Sequence, residues 1–268
     1  MLKKLSLLIG ASALLFSGSI AWAAGASWSY SGSTGPKNWA NLDPNYAECG
    51  WGKEQSPINI TSAQSSSMGA LQFQFQNIAP NLIDYGHSSQ SDSAMVEDTH
   101  SLEDNLTASE VSANTLTING DTYQLTQFHF HMPAEHHILG VTYPMEIHLV
   151  YRDAQAHLAV VAILVKKTRL KTANSLLHQI ALNLSGQSAA WQDQSTTINL
   201  SALIPQDPHY YHYEGSLTTP PCIEGVQWYV MRQPIMITAS DLNVFKNKIP
   251  GNTARPIQSL NGRVVQKW

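Results

Sequence analysis

Gln127-Phe128-His129-Phe130-His131 is the stretch from which the rest of the chain can be read. On an extended strand, side chains two apart share a face, so Gln127, His129 and His131 project together while Phe128 and Phe130 enter the opposite layer. A sheet with an apolar layer behind it and chemistry in front is the expectation. The next strand candidate is Pro144-Met145-Glu146-Ile147-His148-Leu149-Val150, reached through a connection containing Gly140. If the two strands pair antiparallel, His148 faces the same side as His129 and His131, with Glu146 and Val150 beside it. Three neutral imidazoles without a thiolate suit a divalent transition metal, and tetrahedral zinc on three protein ligands keeps a fourth position open, the catalytic arrangement. Gln127 and Glu146 share the parity of their neighbouring histidines, so each can accept the spare ring N–H and fix the tautomer. Burying three imidazoles without partners would be costly, which argues against plain core packing.

Outward from these strands, residues 105–132 and 145–165 carry short Thr-, Val-, Ile-, Tyr- and Phe-rich runs alternating with polar positions, and Asn119-Gly120-Asp121 marks a turn. Helical spacing occurs at Leu170, Ala173, Leu176, Leu177 and Ile180, and again at Leu242, Phe245 and Ile249, where Ser240 is a candidate cap and Pro250-Gly251 a stop. Residues 25–38 are rich in Gly and Ser but include Trp28 and Tyr30, followed by Trp39, so this arm is expected to pack onto the body rather than serve as a flexible linker. Ser62 to Ser67 and His87 to Ser93 read as serine-rich loops. No repeat or composition break divides the chain, and one β-dominated domain is the simplest organisation.

The 268 residues are 43% hydrophobic and 13% charged, which excludes intrinsic disorder, and a net charge of −4 leaves no basic excess for a phosphate backbone. Lys3 and Lys4, the apolar run Leu5 to Ile20 and the small-x-small Ala21-Trp22-Ala23 form the pattern of a secretory signal peptide, residues 1–23, ahead of a domain spanning 24–268. The run is too short and too interrupted for a membrane span. Its removal deletes two lysines and no acid, so the mature chain is more acidic and periplasmic or secreted. Two cysteines are too few for a thiolate zinc site, but could form one bridge in an oxidising compartment.

Of 11 histidines, His100, His157 and His178 are isolated in sequence, and His209 and His212 sit among Tyr210, Tyr211 and Tyr213; all five read as structural. The spacing His129-x-His131-x-x-x-Glu135 also fits the first metal motif of cupins, in which Glu135 would be a ligand. That reading leaves His148 unexplained and lacks a later Pro-x-Gly-x-x-His segment.

Motifs along nearly the whole mature chain decide between them: Trp28-Ser29-Tyr30, Gly35-Pro36 with Trp39, Gln55-Ser56-Pro57-Ile58-Asn59-Ile60, Gly86-His87, Gln127 to His131, Ala134-Glu135-His136, Glu146-x-His148-Leu149-Val150, Gly215-Ser216-Leu217-Thr218-Thr219-Pro220-Pro221, Trp228, Arg255-Pro256 and Leu260-Asn261-Gly262-Arg263. In these the sequence resembles the α-class carbonic anhydrases of the type exported by bacteria. The resemblance implies a single mixed domain around a large twisted, mostly antiparallel central sheet with short surface helices. It also implies reversible hydration of carbon dioxide to bicarbonate and a proton by zinc-bound hydroxide, with inhibition by sulfonamides.

Carried over residue by residue, His129, His131 and His148 match the zinc ligands, and Glu135 matches a non-ligand that hydrogen-bonds Thr218, which displaces the cupin reading. Val150, Val160, Leu217, Thr219, Val226 and Trp228 match the substrate slot. His87 matches the proton shuttle, and Tyr30, Tyr85 and Gln90 fall where the family lines its water network, Tyr85 standing where Asn is usual. Cys49 and Cys222 match positions joined by a disulfide in exported bacterial relatives. A small molecule, carbon dioxide or bicarbonate, is the implied partner, with a homodimer an option. A catalytically silent relative that only binds partners is the other alternative, but such relatives usually lose a zinc histidine and none is lost here.

Overall fold

The computed structural model describes residues 25–78, 114–170, 173–186, 197–249 and 251–268. Its strands in chain order are β1 (Asn59–Ile60), β2 (Gln64–Ser65), β3 (Gln72–Gln74), β4 (Thr115–Ile118), β5 (Asp121–His131), β6 (His137–Ile138), β7 (Val141–Thr142), β8 (Met145–Arg152), β9 (Leu158–Thr168), β10 (Tyr210–Ser216), β11 (Glu224–Met231), β12 (Ile235–Thr238) and β13 (Gln266–Lys267). Ten of them form one sheet in the order β2-β13-β10-β11-β9-β8-β5-β4-β3, with β12 continuing alongside β9, while β1, β6 and β7 make a small sheet of their own. Most neighbours in the large sheet are antiparallel; β9 runs parallel to β11 and β12, and β13 parallel to β2.

The sequence explains the order of burial. β9 carries a nearly unbroken apolar run, and β8 sets Glu146 and His148 between Met145, Ile147 and Leu149; both strands are buried on both faces at the centre of the sheet. β4 and β5 are joined through Asn119 and Gly120, both at positive φ (53° and 99°), the backbone a two-residue hairpin of matching twist requires. β5 also contains a bulge between Leu125 and Gln127, where Leu125 pairs with Tyr151 and Gln127 with Val150. The extra residue reverses the side-chain parity, so Tyr123 and Leu125 face one side and Gln127, His129 and His131 the other.

Behind the sheet, Leu125, Ile147, Leu149, Val161 and Ile163 pack on two helices through Leu176, Leu177, Ile180, Leu242 and Phe245, with Phe128 and Phe130 against the same cluster. In front, Val150, Val160, Ala162, Tyr213, Val226 and Trp228 form a second cluster around the histidines. The short helices α1 (Trp39–Leu42) and α2 (Glu48–Trp51) lie under the N-terminal arm, where Trp28, Tyr30 and Trp39 meet edge to face at 5.3–5.8 Å, so the arm packs as expected.

Two helix starts differ from the sequence reading. α3 is Ser175–Leu184, capped by Asn174, whose side chain accepts from the N–H groups of Leu176 and Leu177. Leu170 is 68% exposed, because β9 still claims the backbone to Thr168. α4 is Ala239–Lys248 and its cap is Thr238, which accepts from Asp241 N–H; Ser240 lies inside the first turn, its hydroxyl against that of Thr238. A β-region residue ahead of the helix with a side chain reaching the third N–H satisfies an orphan donor that Ser240 is too far along to reach.

Candidate metal centre

β5 and β8 place His129 directly opposite His148, and His131 opposite Glu146. The His129 Nε2 atom lies 3.0 Å from His131 Nε2 and 3.2 Å from His148 Nδ1. Each ring's other nitrogen is already committed: His129 Nδ1 to Gln127 Oε1 at 2.7 Å, His131 Nδ1 to the Thr253 carbonyl at 2.7 Å, and His148 Nε2 to Glu146 Oε1 at 2.8 Å. All three partners accept, so each neutral ring spends its one N–H outward and turns a lone pair inward. No proton is left to fill the short contacts between the rings. Burial pushes the pKa values of His131 and His148 down, which opposes adding a proton there. A cation is what three converging lone pairs fit, and the edge of a tetrahedron with Zn–N bonds of about 2.0–2.1 Å is about 3.3–3.4 Å, close to the spacing found.

A second trio, His136, Glu146 and His148, is as close-set but is closed by protons. Glu146 accepts from the His136 backbone N–H at 2.8 Å and from His136 Nδ1 at 2.6 Å, and His136 Nε2 takes a 2.6 Å bond from the Tyr213 hydroxyl, which also meets Ser56 Oγ at 2.8 Å. Burial alone would raise the Glu146 pKa, but His136 and His148 outweigh it and hold the carboxyl well below its usual range. Trp228 packs its ring on both His136 and His148.

Glu135 is 1% exposed. Its Oε1 accepts from Arg255 N–H at 2.8 Å; its Oε2 lies 3.5 Å from His131 Nε2 and is orphaned, with no hydrogen-bond partner. Burial pushes this carboxyl up to about 7, against the pull of His148 and, among lesser influences, the nearby Thr218 hydroxyl. The Thr218 hydroxyl is thus near enough to this carboxyl to act on it. The convergent metal-type set contains His148 rather than Glu135, against the cupin arrangement.

Val150, Val160, Val226 and Trp228 fall in one apolar cluster beside the trio, with Leu217 packed against it, and the half-buried Thr219 lends its carbonyl to Cys222 N–H. Tyr30 is close enough to Glu135 and Arg255 for both charges to act on its phenol, whose pKa burial raises. Cys49 and Cys222 are bonded to each other. Tyr85, His87, Gln90 and His100 lie outside the described residues. His157, His178 and His209 each pair with an aspartate, and His212 with the Trp228 carbonyl, in keeping with structural roles.

Sequence reasoning assigned no role to His136, Tyr213, Thr253 or Arg255. His136 and Arg255 stood inside the quoted motifs, and a buried His next to Glu135 was a usable signal. Thr253 acts through its backbone carbonyl, 122 residues from His131, which no side-chain pattern announces. The Arg255 guanidinium binds the carbonyls of Ser56 and Cys49 at 2.8 and 2.9 Å, tying the disulfide to the wall of the site.

Three histidines converge from two strands of a large, mainly antiparallel sheet beside an apolar cluster, and the comparisons with known proteins place that arrangement among the α-class carbonic anhydrases. The family model described as eukaryotic-type carbonic anhydrase matches residues 34–268. The chain is 35% identical over 238 residues to the carbonic anhydrase of Pectobacterium atrosepticum, covering 89% of both, and 35% identical to that of Neisseria gonorrhoeae, covering 89% of this chain and 86% of the relative. Among solved structures it is similar to the α-carbonic anhydrase of Thermovibrio ammonificans in complex with the inhibitor sulfanilamide, with a TM-score of 0.70, 28% identity, and coverage of 90% of this chain and 99% of that one. The chain belongs to the eukaryotic-type, or α, carbonic anhydrase family and is an enzyme of that class.

Proposed function

We propose that the chain catalyses the reversible hydration of carbon dioxide at a single zinc ion held by His129 Nε2, His131 Nε2 and His148 Nδ1. The observation that carries this is the set of three inward lone pairs at 3.0–3.2 Å with every outward N–H already spent. Zinc on three histidines supplies Lewis acidity and a bound water of pKa about 7, carbonic anhydrase being the type case from which that value comes.

The chain's own residues do the rest. Gln127, Glu146 and the Thr253 carbonyl hold each ligand ring in one tautomer and orientation. Val150, Val160, Leu217, Val226 and Trp228 seat the apolar substrate and exclude water from its far side. The orphaned Glu135 Oε2 accepts the Thr218 hydroxyl proton once the site is engaged, which leaves Thr218 Oγ1 as acceptor toward the nucleophile and aligns a lone pair with the substrate carbon. Tyr30, Tyr85 and Gln90 line the water path, and His87 relays the released proton to solvent, a role for which an imidazole is suited.

Residues 1–23 act as a signal peptide, so the domain 24–268 works in the periplasm or outside the cell. The disulfide fits an oxidising compartment, and among the described residues no helix is long and apolar enough to cross a membrane. The sulfanilamide complex of the Thermovibrio enzyme supports the same inhibitor class here. Titration of zinc-loaded protein with sulfanilamide is expected to abolish hydration at one equivalent. Undiminished hydration with the inhibitor bound would overturn a single metal-centred site.

A further inference from the structure

The large sheet has a second concavity, on the face turned away from the histidines. On β10 and β11 the positions facing the trio are Tyr213, Val226 and Trp228, so the alternate positions Tyr210, His212, Glu214, Gln227 and Tyr229 look to the other side. The bulge in β5 turns Tyr123 to that side as well. With Asp121 these residues border a cavity of about 490 Å³, a size typical of small-molecule sites.

Its lining has a consistent chemistry. Four aromatic rings contribute: His212 stacks on Tyr229 at 4.7 Å, Tyr210 meets Tyr229 edge to face at 5.3 Å, and Tyr123 completes the set. Asp121 and Glu214 add two exposed carboxylates, and among the described residues no Lys or Arg lines the cavity. His212 Nδ1 donates to the Trp228 carbonyl and burial lowers its pKa, so this ring adds no fixed positive charge, and His157 at the rim is engaged by Asp153 at 2.8 Å. Tyr229 is only 5% exposed, yet its hydroxyl has no hydrogen-bond partner among the described residues, whereas that of Tyr210 donates to the Gly69 carbonyl. That hydroxyl of Tyr229, unpaired by the protein and open on the cavity, is available to a polar occupant. Burial, followed by the charges of Asp153 and Asp121, raises the pKa of Tyr123.

We propose that this cavity binds a small organic ammonium ion, its N–H groups donated to the Tyr229 oxygen and to the Asp121 and Glu214 carboxylates, and its carbon chain laid against the tyrosine and histidine rings. The two carboxylates repel an anion, and a neutral ligand gains no charge-assisted hydrogen bond from them. The site lies on the opposite face of the sheet from the three histidines, and the element common to both is β5, which carries Asp121 and Tyr123 as well as His129 and His131.

Isothermal titration of the zinc-loaded protein, its catalytic site filled with sulfanilamide, with 1,4-diaminobutane at mildly alkaline pH tests the proposal. One saturable site is expected, with 1,4-butanediol of the same length not binding. In the Asp121→Asn/Glu214→Gln variant, which changes only exposed side chains, affinity should fall by about three- to thirtyfold, the range two exposed charge contacts supply. Absence of saturable binding up to about 10 mM, where affinity is too weak for a built site, would overturn the proposal. So would equal binding of the diol, which is measured on the unaltered sequence, or an unchanged affinity in the folded double variant.

Discussion

Breaking the Cys49–Cys222 bridge is expected to lower stability substantially while leaving the metal site intact. The bridge joins residues 173 apart in sequence, so it closes most of the chain into one loop. The loop-entropy relation gives about 5 kcal/mol for a loop of that length, and residual structure in the unfolded chain brings the usual measured range to about 2–5 kcal/mol. At roughly 2–4 °C per kcal/mol for a domain of this size, the melting temperature should fall by about 5–20 °C. His129, His131 and His148 stand on β5 and β8, neither of which contains a cysteine, so the two effects separate. The link between them is indirect: the Cys49 carbonyl takes one hydrogen bond of the Arg255 guanidinium, and Cys222 N–H bonds Thr219 next to Thr218. The assay is thermal unfolding of the unaltered protein before and after reduction, with thiols counted by mass spectrometry and zinc measured on the same samples. Reduction avoids the void that a Cys222→Ala change would leave at a fully buried position. A melting temperature unchanged in protein shown to carry two free thiols, or zinc lost while the fold persists, would refute the reasoning.

Other outcomes follow from the contacts around the histidines. Glu146→Gln removes the carboxylate charge behind His148 and replaces one of its two acceptor oxygens by an N–H donor, which should weaken zinc binding by about 10- to 100-fold in chelator competition; unchanged affinity would dissociate Glu146 from the metal. Thr218→Ala should lower kcat/KM by about a hundredfold, the scale of a misaligned nucleophile, with zinc content unchanged; a loss of metal instead would make Thr218 structural. His87→Ala should lower kcat in weak buffer, leave kcat/KM nearly unchanged and be rescued by imidazole, because proton return follows the carbon dioxide step; an unchanged kcat at low buffer would remove His87 from the pathway.

The convergence of the three histidines was legible because strand parity is a local rule. Gln127, His129 and His131 share a face by spacing alone, and His148 with Glu146 follows once the two strands pair. The partners that complete the site are non-local: Tyr213 reaches His136 across 77 residues, and Thr253 contributes a carbonyl, an atom every residue owns. The β5 bulge was hidden for a related reason, since a continuous strand pattern gives no sign of where one residue drops out of register. The parallel pairing of β9 with β11 and β12 also has no local signature. The helix starts were misplaced because apolar spacing continues through Leu170, while the cap that stops the backbone from joining earlier is a single side chain, Asn174 or Thr238.

The central claim is that His129, His131 and His148 hold one zinc ion on which hydration depends. Its most direct test is stopped-flow carbon dioxide hydration recorded while zinc is added back to chelated protein, with bound metal determined on each sample and His129→Ala carried in parallel. Activity should rise in proportion to bound zinc and stop rising at one ion per chain, and His129→Ala should neither retain zinc nor hydrate. Full hydration by zinc-free protein, or by His129→Ala, would contradict the account.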